Sequence, residues 1–141
     1  MDKKNSYLTQ ADITTNIVII KINKSYNPNM SALELYDITR GCWKRRLDSV
    51  SSAKYALATV HGEVVEVYKI DYWVPAPALK RETIPFDAEV EKGRIGFFGT
   101  VAEQKVREKY IGKSVKNFFK QGEASPVKLI KAEKRKMGDI R

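Results

Sequence analysis

Two runs at 54–60 and 63–70, separated only by His61 and Gly62, constrain this chain more than any other stretch. Both runs are rich in β-branched and aromatic residues, and a two-residue connection with glycine second suits a tight hairpin turn. Strands joined so closely pair antiparallel, so the fold has to contain a sheet built on this hairpin. Ala56 and Ala58 leave room for a close neighbour on one face of the first run.

Upstream, residues 16–23 are β-branched and almost continuously apolar, which predicts a central strand covered on both faces. Turn residues follow at 24–29. Ser31 and Glu34 form a capping box, with Met30 and Leu35 placed as a hydrophobic staple, so a helix starts there. Gly41 is the expected left-handed residue that ends it, and 42–46 leave it extended. Downstream, 75–93 hold no recognisable element, and a loop of that length in a compact domain is functional or mobile. Residues 93–100 return to strand. Thr100 is placed to cap a helix over 101–110, ended by Gly112, and Ser114 to cap a second helix through Phe119. A last strand is expected at 126–131. About six short strands with three short helices predict an α+β chain with a small, curved, mostly antiparallel sheet or barrel rather than a parallel α/β sheet. The organisation read from this is a flexible N-terminal arm at 1–15, one domain at 16–131 and a basic tail at 132–141.

The chain has 141 residues, 43% of them hydrophobic, which is enough for a packed core without a disulfide or a metal. Its net charge of +9 favours a polyanionic partner: nucleic acid, an anionic membrane or an acidic protein. A single cysteine excludes an intrachain disulfide and a multi-cysteine zinc site, and fits a reducing compartment. The apolar run from Ile17 to Ile20 is too short for a signal core or a membrane span. The expectation is a cytoplasmic protein that is not membrane-bound and needs neither metal nor cofactor.

The densest functional signal is at 36–47, which holds Arg40, Lys44, Arg45 and Arg46 together with Trp43 and Cys42. Cations around an indole suit phosphates and a stacked base. They equally suit a solvated edge that discourages strand pairing, with Trp43 in the core. Tyr72 and Trp73, at the mouth of the long loop, fit either base stacking or a plug at one end of a barrel. Lys113, Lys116 and Lys120 recur at helical spacing, as a phosphate track or as a solvated face.

The segments Thr39-Arg-Gly-Cys-Trp-Lys44, Tyr55-Ala-Leu-Ala58, His61-Gly62, Val67-Tyr-Lys-Ile70, Tyr72-Trp73, Arg94-Ile-Gly-Phe-Phe-Gly99 and Lys109-Tyr-Ile-Gly-Lys-Ser-Val115 together resemble the PUA-like β-barrel superfamily, which includes ASCH and EVE domains. More narrowly they resemble a bacterial module found alone or appended to nucleases. The Gly-x-Lys-x-x-Glu-x-Arg signature of ASCH domains is absent. The resemblance implies a barrel whose concave pocket holds RNA or a flipped, modified base of DNA.

The expected function is therefore non-catalytic binding of DNA or RNA through Arg40, Trp43, Lys44, Arg45, Arg46, Tyr72, Trp73, Lys113 and Lys116. An adaptor or inhibitor that docks on an acidic protein is the alternative. A small metal-dependent nuclease has less behind it. His61 is at a hairpin tip, Cys42 has no histidine nearby in sequence, and Tyr110-Ile-Gly112 matches only half of a GIY-YIG motif. The Glu66–Lys69 and Glu89–Glu91–Lys92 spacings arise readily by chance.

Overall fold

A computed structural model describes residues 6–133. Residues 1–5, and the expected basic tail from residue 134 onward, lie outside the described residues. The elements are β1 (Ile17–Lys21), α1 (Ala32–Arg40), β2 (Tyr55–Val60), β3 (Glu63–Pro75), α2 (Ala88–Glu91), β4 (Ile95–Val101), α3 (Gln104–Tyr110) and β5 (Val127–Ile130). The fold is α+β, with one five-stranded sheet in the order β4-β3-β2-β1-β5. β1 and β2 run parallel and the other three pairings are antiparallel.

β1 explains why the sheet is covered on both sides. Its side chains alternate between two cores. Ile17 and Ile19 join Leu57, Val67 and Tyr110 on one face, while Val18 and Ile20 join Tyr68 and Phe97 on the other. Leu35 and Tyr36 of α1 pack against the second core, the one that contains Ala56 and Ala58. The five strands do not close into the expected barrel. A parallel β1–β2 pair requires a crossover, here through α1, and helices on a sheet's faces bury its apolar sides without closure. The sixth expected strand, at 42–46, is reduced to a single bridge between Trp43 and Ile95.

β3 is longer than the hairpin run and is bent at Asp71, where its register with β4 shifts. Its first residues pair with a different segment: Val64 N–H donates to the Lys113 carbonyl at 3.0 Å, and Val115 N–H to the Gly62 carbonyl at 2.8 Å. The described part of the expected N-terminal arm is tied to that segment. Leu8 N–H donates to the Ser114 carbonyl at 2.9 Å, and Leu8 and Ile13 are both buried in the first core.

The capping box forms as read. Ser31 Oγ accepts from Glu34 N–H at 3.1 Å and Glu34 Oε1 from Ser31 N–H at 2.8 Å. Ser31→Ala is expected to lower stability by about 1 kcal/mol, read as a shift of the urea midpoint at constant slope. Gly41 does not end α1 in the left-handed region. Its φ is −173°, fully extended, and a Cβ there would sit 2.7 Å from Leu79 Cδ2, so the Leu79 side chain would have to shift. Side chains satisfy the end of α1 instead. Trp43 Nε1 donates to the Thr39 carbonyl at 2.8 Å, and Arg81 Nη1 donates to the Gly41 carbonyl at 2.8 Å.

The remaining differences are local. The loop at 75–93 contains a 3-10 turn, Ala76–Ala78, and the short α2, whose first turn is capped by Asp87 Oδ1. Thr100 is inside β4, so α3 starts only at Gln104, and the helix expected from Ser114 is one 3-10 turn, Lys116–Phe118. Among the described residues, no helix is long and apolar enough to cross a membrane.

Candidate nucleic-acid interface

β1 and β2 end side by side because they run parallel. Just beyond those ends lie the 22–25 turn, the His61–Gly62 turn and the stretch from Val115 to Gln121, and two neighbouring clefts open among them. The first, about 380 Å³, is walled by Trp43, Lys24 and Pro126. The second, about 340 Å³, is walled by His61, Lys116, Phe119 and Lys120. Lys21 and Asn23 belong to both. Among the described residues no carboxylate lines either cleft, whereas Lys21, Lys24, Lys116 and Lys120 do. Each cleft therefore pairs an aromatic wall with cations.

Lys21 and the Phe119 ring are held in place by their neighbours. Lys21 Nζ donates to the Glu123 carbonyl at 3.2 Å and lies 4.0 Å from the centroid of the Phe119 ring. Lys128 Nζ lies 5.0 Å from the same ring and bonds both the Phe118 carbonyl and the Glu123 carboxylate. The Lys120 backbone N–H, followed by the Lys128 ammonium, holds the Glu123 carboxyl below the ordinary range, so its charge is engaged at its own anchor. His61 and Gly62 both have positive φ, 48° and 85°, and the His61 N–H donates to Asn23 Oδ1 at 2.8 Å. That bond ties the tip of the hairpin to the end of β1.

Trp43 is half-buried: it packs against the second core and also forms a wall of the first cleft. The two places its residue type suggested are thus the same place. Lys116 lines the second cleft, while Lys113 lines neither.

The other expected contacts are elsewhere. Arg40 is not free to meet a phosphate. Only 4% exposed, it donates through Nε to Asp37 Oδ1 at 2.8 Å and packs over the Tyr36 ring. Lys44, Arg45 and Arg46 are near Trp43 in the chain but outside both clefts, and Arg46 forms an exposed pair with Asp48 at 3.1 Å. Tyr72 and Trp73 do not act as a pair, because neighbours on a strand point to opposite faces. Tyr72 is exposed and stacks on Phe98 at 5.3 Å, while Trp73 is half-buried against Phe97 at 5.2 Å.

Lys21, Asn23 and Lys24 carry no motif. Their one sequence signal is a lysine that closes an otherwise apolar run, where a charge can only be tolerated at a strand's open end.

Two groups that could do chemistry, the Cys42 thiol and the Tyr110 phenol, are shifted by burial away from ionisation. Burial pushes the Cys42 thiol up, against thiolate formation, although Arg81 Nη2 stands 3.3 Å from its sulfur. Burial also pushes the Tyr110 phenol up to about 12. Among the described residues, no cluster of three His, Cys, Asp or Glu side chains is placed to hold a metal ion. No protein-family model, no curated protein and no solved structure matches the chain.

Proposed function

We propose that this chain is a nucleic-acid-binding domain without catalytic activity that stacks a base on Trp43 and tracks phosphates with Lys21, Lys24, Lys116 and Lys120. The observation that carries this reading is the pair of adjoining clefts, lined among the described residues by four lysines, two aromatic walls and no carboxylate. None of the four lysines forms a salt bridge among the described residues, which favours a polyanion, and an aromatic wall beside them favours a ligand with planar groups. Lys44, Arg45 and Arg46, which follow Trp43 in the chain, are the further cations of this reading. The single, unpaired Cys42 fits a reducing, cytoplasmic setting.

The same reading takes the fold as an incompletely closed relative of PUA-like barrels. Trp43, bridged to β4 at one edge of the sheet, and Pro126, which leads into β5 at the other edge, line one cleft. RNA, and DNA with a modified base, are the ligands this kinship implies.

The test is titration with single- and double-stranded DNA and RNA, with and without modified bases, at 50 and 200 mM salt. Affinity should fall steeply with salt. For a single strand, Lys116→Ala/Lys120→Ala should reduce the salt slope by about 1.4, at roughly 0.7 per phosphate contact. Absence of binding to every one of these ligands at low salt would sink the reading. In that case, a stoichiometric acidic protein captured despite nuclease treatment would support an adaptor role.

A further inference from the structure

Phe86 is the most exposed large apolar side chain among the described residues, at 63%. A single exposed ring needs no explanation by itself. Phe86 differs because it is one wall of a third cleft, about 480 Å³, whose other walls are Pro77, Lys80 and Arg81. Among the described residues no carboxylate lines this cleft, and Lys80 and Arg81 form no salt bridge. The backbone is anchored on both sides of the ring. Thr83 N–H and Oγ1 each donate to Asp37 Oδ2 at 2.8 Å, and Asp87 Oδ1 accepts from Glu89 N–H at 3.0 Å. Tyr72 already stacks on Phe98 and Phe119 already meets two lysines, whereas no ring or cation of the described residues packs on Phe86. Arg81 joins this cleft to the first one. Its Nη1 donates to the Gly41 carbonyl at 2.8 Å and its Nη2 stands 3.3 Å from Cys42 Sγ, beside Trp43 in the chain.

We infer that the Phe86 cleft is a second stacking site for the same polynucleotide: a base further along the strand lies on Phe86, and Lys80 takes an adjoining phosphate. This rests on the nucleic-acid reading above and adds its substrate class, an unpaired strand. Cations with no carboxylate among them draw a polyanion, and an open ring beside them takes the face of any base. Arg81 supplies a fixed planar wall rather than a phosphate contact, because Gly41 and Cys42 already engage its two Nη groups. The Trp43 and Phe86 walls belong to separate clefts. Two bases that lie on them have to part from one another. In a duplex each base is stacked on its neighbours and paired across, so its faces are closed to such walls. In a single strand the bases are free to splay.

The test compares affinities for a twenty-nucleotide strand without self-complementarity and for the duplex it forms with its complement, as DNA and as RNA. The full chain is used in four forms: wild type, Phe86→Ala, Phe86→Tyr and Lys80→Ala. Unchanged melting temperatures verify that the variants fold. The wild-type chain should prefer the single strand. Phe86→Ala should weaken single-strand binding about tenfold with no change in the salt slope, because a stack and not a phosphate contact is lost. Phe86→Tyr keeps a ring and should restore wild-type affinity. Lys80→Ala should instead reduce the single-strand salt slope by about 0.7. A wild-type chain that prefers the duplex overturns the inference while nucleic-acid binding stands. So does a Phe86→Ala variant that binds the strand as tightly as wild type, or one that loses as much affinity for the duplex. Failure of the wild-type chain to bind either form overturns both.

Discussion

Asp37→Ala is expected to destabilise the fold by about 3–5 kcal/mol, the cost of leaving a buried charge without its partner. The Asp37 carboxylate is fully buried and accepts three hydrogen bonds: from Arg40 Nε, Thr83 N–H and Thr83 Oγ1, each at 2.8 Å. Arg40 is itself 4% exposed and pairs with no other carboxylate among the described residues. Truncation would strand its guanidinium and remove the two hydrogen bonds that hold Thr83 to α1. The check is a denaturant midpoint measured with the slope unchanged. A loss under 1 kcal/mol would mean that water reaches Arg40 and that the site is not dry.

The same carboxylate sets an acid limit. Burial raises its pKa, but the Thr83 and Arg40 hydrogen bonds together outweigh burial and hold it below the ordinary value. A lowered folded-state pKa means that the unfolded chain binds the proton more tightly. The contribution is then complete above the unfolded pKa, about 3.9, and is lost as pH falls through the lower folded value. Stability should therefore drop on acidification below about pH 4, and Asp37→Asn should flatten that limb of the curve.

Gly99→Ala is expected to cost about 3 kcal/mol. A methyl on Gly99 would collide with the Lys69 carbonyl oxygen of β3. That oxygen is backbone, next to the Asp71 bulge, in the stretch where Lys69 pairs with Thr100 and Ile70 with Gly99. It cannot swing aside as a side chain can. Gly99 is also fixed from the other direction, since its N–H donates to the Tyr36 hydroxyl at 2.9 Å. Gly93→Ala is the contrast: φ there is 72° but nothing lies within 4 Å of the added carbon, so only backbone strain applies, about 1 kcal/mol. Equal losses in the two variants would show that β4 can slide away from β3, contrary to the packing described.

The elements legible in the sequence are those whose determinants lie within a few residues. The Ser31–Glu34 box, the His61–Gly62 turn and the unbroken apolar run of β1 each carry their own cause. The features that went unread depend on partners far along the chain. A hairpin pattern does not say that β1 pairs with β2 in parallel, and that pairing requires a crossover helix in place of barrel closure. The spacing of Arg40 from Asp37 is the i, i+3 pairing distance on a helix, so the sequence did contain the reason Arg40 turns inward. Tyr72 and Trp73 are adjacent in sequence and opposed in space, as strand geometry requires. The clefts assemble Lys21, Asn23, Lys116 and Lys120 from segments about a hundred residues apart, joined by strand pairing that no local pattern encodes.

The clamp on Phe119 bears on the thermodynamics of ligand capture. Lysine side chains ordinarily sample many rotamers, and fixing one on binding costs roughly 0.5–1.5 kcal/mol of entropy. Lys21 is restrained before any ligand arrives, by a carbonyl on one side and an aromatic face on the other. On the nucleic-acid reading proposed above, a polyanion that enters the junction of the clefts meets an ammonium already in position. The ordering cost there has been met during folding, and for that contact it does not weaken the affinity.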